Sequence, residues 1–324
     1  MKYICKIVFF GLVLIGSSSC SKSAQIADPN FIPKNTKHSF SKINSPIVFI
    51  DEAHNNFHTA NGRYKPFSQV LLSDGYTVKS SKEKFTVQYL QYTNILVIAN
   101  ALDKNRRDFT PPFGDAFDTD EIKAVKKWVA QGGSLFLVAD HTPFPKVIEK
   151  LALAFGFKFN NGHVDEAIFR IDNNTLVKHV ITNGNSDLQS DDQLGIFTDA
   201  IGQAIIKGAS HSKHIVQVKT FGGSAFQIPK NAEPLLILGK GAISLMPDIP
   251  FKINADTPRI SMDGWYQGAV LEVGEGRIAV FAEAMMFSSQ LTVKTGKKYG
   301  LLSDGAEQNE QFLLNVMHWL SKKI

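Results

Sequence analysis

The chain has 324 residues, of which 44% are hydrophobic and 20% charged, so it has enough apolar side chains for one large core or two modest ones. Its formal net charge is +5, and loss of Lys2 and Lys6 with the N-terminal segment described below would lower this charge to +3. Because the balance is only mildly basic and no basic stripe interleaved with aromatic residues occurs, nucleic acid is not expected as a partner.

Residues 1–19 have the pattern of an export signal. Lys2 and Lys6 precede an apolar run, Ile7 to Ile15, that is too short to span a bilayer comfortably. Small residues then lead to Cys20, which is the order of segments in a secretory signal peptide. We therefore predict that residues 1–19 are a signal peptide.

Cys20 directly follows these small residues, which resembles the lipobox of bacterial lipoproteins. The resemblance implies that Cys20 is lipidated and anchors the mature chain to a membrane of the bacterial cell envelope, at the outer membrane facing the periplasm. A typical lipobox has Leu three residues before the cysteine, whereas Ser17 stands there, so cleavage at an ordinary signal-peptidase site is the alternative. The other cysteine, Cys5, lies within the signal, so an acylated mature chain would have no disulfide.

The segment after Cys20 is rich in Ser, Lys, Asn and Pro and has little apolar periodicity. This composition predicts a flexible tether over residues 20–45. Residues 46–324 are then expected to form a single α/β domain.

Apolar segments that alternate with helical patterns predict the core of this domain. The first three predicted strands are residues 47–50, 94–99 and 134–139, and two more, 268–273 and 276–282, are joined by the turn Gly274-Glu275. A helix is predicted behind each of the first three strands, which is typical of a mainly parallel sheet with right-handed crossovers.

The predicted helices have recognisable ends. One helix covers residues 64–73 and ends at Asp74-Gly75, and another begins at a capping box of Asp118 and Glu121. Further helices are expected at residues 147–155 and 307–320.

Two regions give a weaker signal. Residues 103–117 predict a long loop, which is either a lid over the sheet edge or an insertion. Residues 160–231 predict short strands added to the edge of the sheet, with residues 215–218 and 225–228, followed by 235–239, as candidates.

Polar side chains follow three of the predicted core strands. The carboxyl ends of parallel strands meet at one edge of a sheet, where α/β folds bind ligands, so we expect these side chains to share one rim. The set comprises Asp51, Glu52, His54, Asn55, Asp140, His141 and Glu283.

Paired carboxylates and a histidine predict a hydrolytic site. Asp51 or Glu52 would act as the base, His141 as the acid or electrostatic stabiliser, and Glu283 as an orienting group. The same hypothesis makes His54, Asn55 and Asp140 ligand-binding residues that take part in no chemical step.

Two other interpretations use the same residues. Asp51, His54, Asp140 and His141 suit zinc or manganese by ligand type, although no HExxH-like spacing supports a metal and no cofactor is expected. Alternatively, the acids and amides cap helices and bond the exposed amides of the rim. In either case a buried Glu283 needs a partner such as His54 or His141.

Several short motifs, taken in order, resemble the GIFT domain, the glutamine-amidotransferase-like domain of intraflagellar transport and gliding-motility transport proteins. They are Asn61–Tyr64, Phe117–Glu121, Gly132–Leu137, Leu151–Phe157, and Gly276–Phe281 followed by Met286-Phe287. The resemblance covers residues 47–320. It implies a flavodoxin-like three-layer sandwich related to class I glutamine amidotransferases and trehalose-utilisation-like proteins.

The resemblance departs from the amidotransferases in its chemistry. A class I amidotransferase needs a cysteine at the turn after a core strand, whereas Asp140-His141 follow Ala139, and Cys20 is the only cysteine of the mature chain. Cysteine-dependent glutaminase activity is therefore excluded. Members of the GIFT group look non-catalytic, with sugar or partner binding proposed, so the resemblance implies a fold more than an activity.

The predicted function is binding of a small polar ligand, a saccharide, at the rim, with or without its hydrolysis. The alternative is a non-catalytic assembly or transporter-associated subunit of the envelope that binds a protein partner.

Overall fold

The computed structural model describes residues 25–105, 109–183 and 214–324, and the backbone of residues 197–198 and 204–205. The predicted signal peptide and Cys20 lie outside the described residues. Among the residues described, no helix has the length and apolar character needed to cross a bilayer.

The described strands and helices follow one another closely along the chain. The strands are β1 Gln25–Ala27, β2 Ile47–Asp51, β3 Thr77–Ser81, β4 Ile95–Ala99, β5 Ser134–Val138, β6 Lys158–Asn160, β7 His163–Val164, β8 Ala167–Arg170, β9 Phe197–Thr198, β10 Ala204–Ile205, β11 Gln217–Thr220, β12 Ala225–Gln227, β13 Glu233–Ile237, β14 Ile243–Leu245, β15 Arg259–Ser261, β16 Tyr266–Val273, β17 Gly276–Phe281, β18 Ser289–Thr292 and β19 Lys298–Gly300. The helices are α1 Lys65–Ser73, α2 Val87–Leu90, α3 Thr119–Ala130, α4 Phe144–Val147, α5 Glu149–Leu153, α6 Val180–Asn183 and α7 Asn309–Leu320, with 3₁₀ turns at Lys42–Asn44 and Met285–Phe287.

A nine-stranded mixed sheet forms the centre of the molecule. Its order is β3-β2-β4-β5-β17-β16-β12-β6, and β13 also pairs with β16. The first five strands are parallel, and β16 then reverses the direction, so that β12, β13 and β6 extend the sheet through antiparallel pairs. Smaller antiparallel sheets, β8-β11 and β7-β14-β15, lie beside this edge. The predicted fold class, a mainly parallel α/β sandwich with added β structure, is confirmed.

Helices cover both faces of the sheet, because successive strand residues point to opposite sides. On one face, Ile50 and Phe281 lie in a core with Phe67 of α1 and Phe312 of α7. On the other face, strand residues such as Phe49, Leu96 and Val280 lie in a core with residues of α3 and α5. The three layers follow from this alternation of apolar side chains.

Helix α3 begins at the predicted capping box. The Asp118 carboxylate accepts hydrogen bonds from the backbone N–H groups of Asp120 and Glu121, and the Glu121 side chain accepts the N–H of Asp118. This places the Glu121 carboxylate at the start of α3, beside the end of β2.

The prediction of a flexible tether is wrong for residues 25–45. Strand β1 pairs with β18, the Phe31 side chain is buried in the core, and Asn35 donates its backbone N–H to Glu310. The polar composition of the segment does not reveal this order. One edge-strand pairing and one buried aromatic side chain fix the segment, and neither requires an apolar sequence pattern.

Other elements differ in length from their predictions. The predicted helix at residues 147–155 is two short helices, α4 and α5, and the strand predicted at residues 215–218 is β11, two residues later. The loop predicted at residues 103–117 has no helix or strand among its described residues.

Candidate functional site

The residues predicted for one site fall into two clusters. Asp51 is the last residue of β2 and shares a sheet face with Phe49, two residues earlier. Glu283 instead lies beside Ala284 and Tyr64, which belong to the core on the opposite face. Asp51 and Glu283 share no hydrogen-bond partner among the described residues, and the expectation that they occupy one site stays a prediction.

The first cluster, here called the buried triad, consists of Asp51, His54 and Glu121. His54 Nδ1 lies 2.9 Å from both carboxylate oxygens of Asp51, and its Nε2 lies 2.9 Å from Oε1 of Glu121. The exposed fractions are 0% for Asp51 and 4% for both His54 and Glu121. A ring with carboxylates at both nitrogens donates from both only when it is protonated.

Burial lowers the pKa of His54, but the hydrogen bonds and charges of Asp51 and Glu121 outweigh this effect and raise the pKa to about 9. The rings of Phe85 and Phe117 lie with their centroids 4.6 Å from the His54 ring. His54 is thus a buried cation held between two carboxylates, and it has no ring nitrogen left for a ligand or a metal.

Glu52 and Asn55 stabilise the loop after β2. Oε1 of Glu52 accepts the N–H of Ala60 at 3.0 Å and the hydroxyl of Ser80 at 2.8 Å. Asn55 has a φ of 52° and donates Nδ2 to the backbone oxygen of Asp103 at 3.0 Å. These contacts correspond to the helix- and rim-capping interpretation; the catalytic role of Glu52 and the binding role of Asn55 stay predictions.

The second cluster, here called the rim cluster, consists of His58, Arg63, Asn100, Asp140 and His141. Asn100, which follows β4, accepts the N–H of Asp140 at Oδ1 (2.8 Å) and donates Nδ2 to the Asp140 carboxylate at 3.3 Å. Asp140 also accepts the N–H of His141 at 3.2 Å. The carboxylate therefore has a fixed position at the ends of β4 and β5.

His58 contacts the side-chain amide of Asn100. Its Nδ1 lies 3.1 Å from Nδ2 of Asn100, and its Nε2 lies 3.2 Å from Nε2 of Gln290. Burial, with smaller contributions from the charges of Arg63 and His141, keeps the pKa of His58 well below its usual value. A neutral ring donates from one nitrogen and accepts at the other, so one of the two amides turns its oxygen toward the ring.

Arg63 lies at the edge of the rim cluster. Its guanidinium carbon is 3.8 Å from the centroid of the Phe57 ring, and its Nε donates to the backbone oxygen of Gln25 in β1 at 3.0 Å. Burial lowers the pKa of Arg63 to about 10, and the charge of Asp140 opposes this shift. Arg63 remains a cation at neutral pH.

Glu283 interacts electrostatically with Asp140 of the rim cluster, and its carboxylate bonds backbone amides. Oε1 accepts the N–H of Met285 at 2.8 Å, and Oε2 accepts the N–H of Met286 at 2.7 Å. Burial and the charge of Asp140 raise the pKa of Glu283, while the amide donors, including that of Phe221, oppose the shift. Contrary to expectation, Glu283 is bonded by the backbone rather than by His54 or His141.

His141 presents one ring nitrogen to the opening of the rim. Nδ1 lies 2.8 Å from the backbone oxygen of Thr142, so in the neutral ring the proton is on Nδ1 and the lone pair on Nε2. Among the described residues, Nε2 has no hydrogen-bond partner. The rings of His163 and Phe251 lie 5.2 and 4.9 Å away by centroid distance.

Phenylalanine side chains line the opening beside His141. They form a chain of ring contacts in which Phe57, Phe109 and Phe144 lie 5.6 to 5.7 Å apart, and Phe109 also contacts Phe251 at 5.7 Å. Phe57 is 37% exposed and Phe251 42% exposed, so apolar ring faces are accessible next to the charged groups.

Within the described part of the chain, no group of three or more His, Cys, Asp or Glu residues is arranged to hold a metal ion. The four residues of the metal hypothesis are divided, since Asp51 and His54 belong to the buried triad and Asp140 and His141 to the rim cluster.

Two cavities lie away from the rim cluster. One, of about 420 Å³, is lined by residues of β8, β14 and the turn Gly239–Ala242, and the other, of about 470 Å³, lies beside α2 and the end of α3. Neither cavity is lined by a residue of the rim cluster.

Four residues near the rim were not predicted from the sequence as site residues: His58, Arg63, Asn100 and His163. Asn100 had a usable signal, because it directly follows a predicted core strand just as Asp140 does. His58, Arg63 and His163 lie in or next to loops, where no periodicity shows which side chains turn toward the sheet.

Comparison with solved structures identifies proteins of similar fold. The mmIFT52 N-terminal domain matches with a TM-score of 0.53 and 16% identity, over 85% of this chain and 97% of that chain. A putative ThuA-like protein from Bacteroides uniformis has a TM-score of 0.41 and 11% identity, over 87% of this chain and 93% of that chain. The exo-β-1,4-mannosidase Op5Man5 from Opitutaceae bacterium strain TAV5 has a TM-score of 0.39 and 12% identity, over 85% and 36%.

No protein-family model and no curated protein sequence matches the chain. The similarity to the mmIFT52 N-terminal domain is that of a shared fold, and the two lower TM-scores carry no argument about function. What the chain shares with this domain is therefore its α/β architecture.

Proposed function

We propose that this protein binds a saccharide at the rim cluster. The observation that carries the proposal is the fixed Asp140 carboxylate, which lies with Arg63 and His141 beside accessible phenylalanine rings. Asp140 is the acceptor for sugar hydroxyl groups, and Arg63 is a donor. The exposed faces of Phe57 and Phe251 contact the apolar C–H face of a sugar ring.

The physical basis is the mixed surface of a sugar, which has hydroxyl groups around its edge and C–H groups on its faces. Sites that bind such ligands combine a few fixed polar groups with aromatic surface. The residues of the buried triad take no part, because their polar atoms bond one another. Asp140 is supported by Asn100, so little additional ordering is needed when a ligand binds.

A thermal-shift panel of mono- and oligosaccharides with the purified full chain tests this proposal, because a ligand that binds the folded state raises the melting temperature in proportion to its occupancy. Asp140→Asn should abolish the shift. The exposed Asp263→Asn is the matched control and should leave the shift unchanged. No shift with any saccharide, together with co-purification of other envelope proteins, would favour the assembly-subunit alternative.

Hydrolysis of the bound sugar is a second candidate, favoured by the Nε2 lone pair of His141. An unprotonated ring nitrogen at the opening of a site can accept a proton from water. His141→Ala should then abolish turnover of a saccharide that still binds. Equal turnover in the two proteins would exclude His141 from the mechanism.

We also infer that the chain is a lipid-anchored member of the GIFT group. The order of its motifs and the fold that it shares with the mmIFT52 N-terminal domain support the group, and the small residues before Cys20 support the anchor. Metabolic labelling with a radioactive fatty acid should label the native chain and the Cys5→Ser control but not Cys20→Ser. Labelling of Cys20→Ser would overturn the anchor.

A further inference from the structure

We propose that the saccharide bound at the rim cluster carries a carboxylate, as a hexuronic acid does, and that Arg63 binds this carboxylate through its two terminal nitrogens. This inference rests on the proposed function and specifies its ligand class. It uses the position of Arg63, the separation of Arg63 from Asp140, and the lack of a partner for the guanidinium fork.

Two contacts fix the guanidinium without using its terminal nitrogens. One face of the group lies on the Phe57 ring at 3.8 Å, and Nε donates to the backbone oxygen of Gln25 at 3.0 Å. Among the described residues, Nη1 and Nη2 donate to no acceptor. Neither terminal nitrogen is among the buried side-chain atoms that lack a partner, so the fork is accessible to water and to a ligand.

The charge of Asp140 acts on Arg63, yet the two side chains form no ion pair. The two groups influence each other electrostatically, but no nitrogen of Arg63 lies within 4.0 Å of an Asp140 oxygen. Each is held by its own contacts, Arg63 by Phe57 and Gln25, and Asp140 by Asn100 and the N–H of His141. The cation and the anion are thus kept apart at the opening.

A hexuronic acid matches this arrangement. Its carboxylate has the planar geometry that accepts two parallel hydrogen bonds from a guanidinium fork, and its hydroxyl groups donate to a carboxylate such as that of Asp140. A neutral sugar would satisfy Asp140 but has no planar carboxylate to accept two parallel hydrogen bonds from the Arg63 fork. The protein should therefore bind a negatively charged sugar more tightly than a neutral sugar with the same ring.

Calorimetry with hexuronates and their methyl esters tests the inference, because the ester keeps the ring and hydroxyl groups and removes the charge. We expect the acid to bind roughly 10- to 100-fold more tightly than the ester. Arg63→Gln should reduce the affinity for the acid to that for the ester and leave the affinity for the ester within about threefold. Arg63→Lys should give an intermediate value, since an ammonium group cannot form the two-pronged contact.

The exposed Arg259→Gln is the matched control, because it removes the same charge elsewhere, and it should change neither affinity. Equal binding of acid and ester to the native chain would overturn this inference and leave the saccharide proposal standing. Binding of α-amino acids with no binding of any sugar would overturn both proposals. An unchanged preference for the acid in Arg63→Gln would remove Arg63 from the site.

Discussion

Two histidines stand close to aspartates at the ends of core strands, and the structure gives them opposite properties. His54 is 4% exposed and bonds Asp51 and Glu121 through both ring nitrogens. His141 is partly exposed and uses only Nδ1, bonded to the backbone of Thr142. The same residue types thus form a closed, fully hydrogen-bonded cluster at one strand end and an open polar surface at another.

The difference comes from the neighbours of each strand end. The start of α3 brings Glu121 and the Phe117 ring against His54, and Phe85 packs on it as well, so water and ligands are excluded. His141 instead lies beside ring contacts at the opening, including the 42% exposed Phe251. A carboxylate–histidine pattern in a sequence is therefore not sufficient to identify a site, because the surrounding layers decide its accessibility.

The largest effect expected from this comparison is that of His54→Ala. Loss of the cation would leave two buried carboxylates facing each other, which should lower the free energy of unfolding by about 3 to 5 kcal/mol. Urea denaturation checks this value. His141→Ala is the matched control and should change stability by about 0.5 kcal/mol or less, since its side chain is partly exposed. Equal effects of the two substitutions would contradict the distinction between the clusters.

A somewhat smaller effect is expected from pH. The pKa of His54 is about 9 in the folded chain and about 6.5 in the unfolded chain, so the folded state binds more protons between these values. Protonation of His54 contributes about 3 kcal/mol to the free energy of unfolding. This contribution is full below pH 6.5 and is lost as pH rises through 9.

The raised pKa of Glu283 also makes the folded chain less stable as pH rises, because the pKa of this carboxyl is lower in the unfolded chain. The lowered pKa of His58 acts in the opposite direction and reduces stability as pH falls below about 6.5. Denaturation of the native chain and of His54→Gln from pH 6 to 10 isolates the contribution of His54. Parallel curves for the two proteins would show that His54 has no raised pKa.

The smallest of the three effects is that of Asn100→Ala, which tests the support of the rim cluster. The substitution removes the acceptor for the Asp140 N–H and donors to His58 and Asp140, at a residue with a φ of 52° that alanine adopts poorly. Stability should fall by about 2 kcal/mol, and saccharide affinity should fall with it.

Asn94→Ala is the control for this substitution. Asn94 precedes the same strand at its other end, is exposed, and accepts only the N–H of Ile47 among its side-chain contacts. Its loss should cost less than about 1 kcal/mol and should not change saccharide affinity. A larger cost for Asn94→Ala, measured by the same denaturation, would contradict the role given to Asn100.

Much of the fold was predictable because its signals are local. The apolar segments of β2, β4, β5 and β17 and the capping box of α3 each lie within a few residues of chain. The order of segments at the N-terminus was less informative, since nothing in the composition of residues 25–45 indicated that β1 pairs with β18. That pairing joins residues more than 260 positions apart.

The candidate site was predictable only in part. Asp140 and His141 were found because they follow a strand, and Asp51 and Glu283 were found by the same rule but are bonded by different groups. Arg63 was missed because its role depends on Phe57 and on the backbone of Gln25, which is a contact over 38 residues.

The sequence by itself determined which segments become core strands, where α3 begins, and which strands end in polar residues, because hydrophobic periodicity and helix caps act over short distances. Only the tertiary structure decided which of these polar residues are sealed into an ion cluster and which stay open at the rim. The physical reason is that a side chain's charge state and accessibility depend on the layers packed around it, which come from distant parts of the chain.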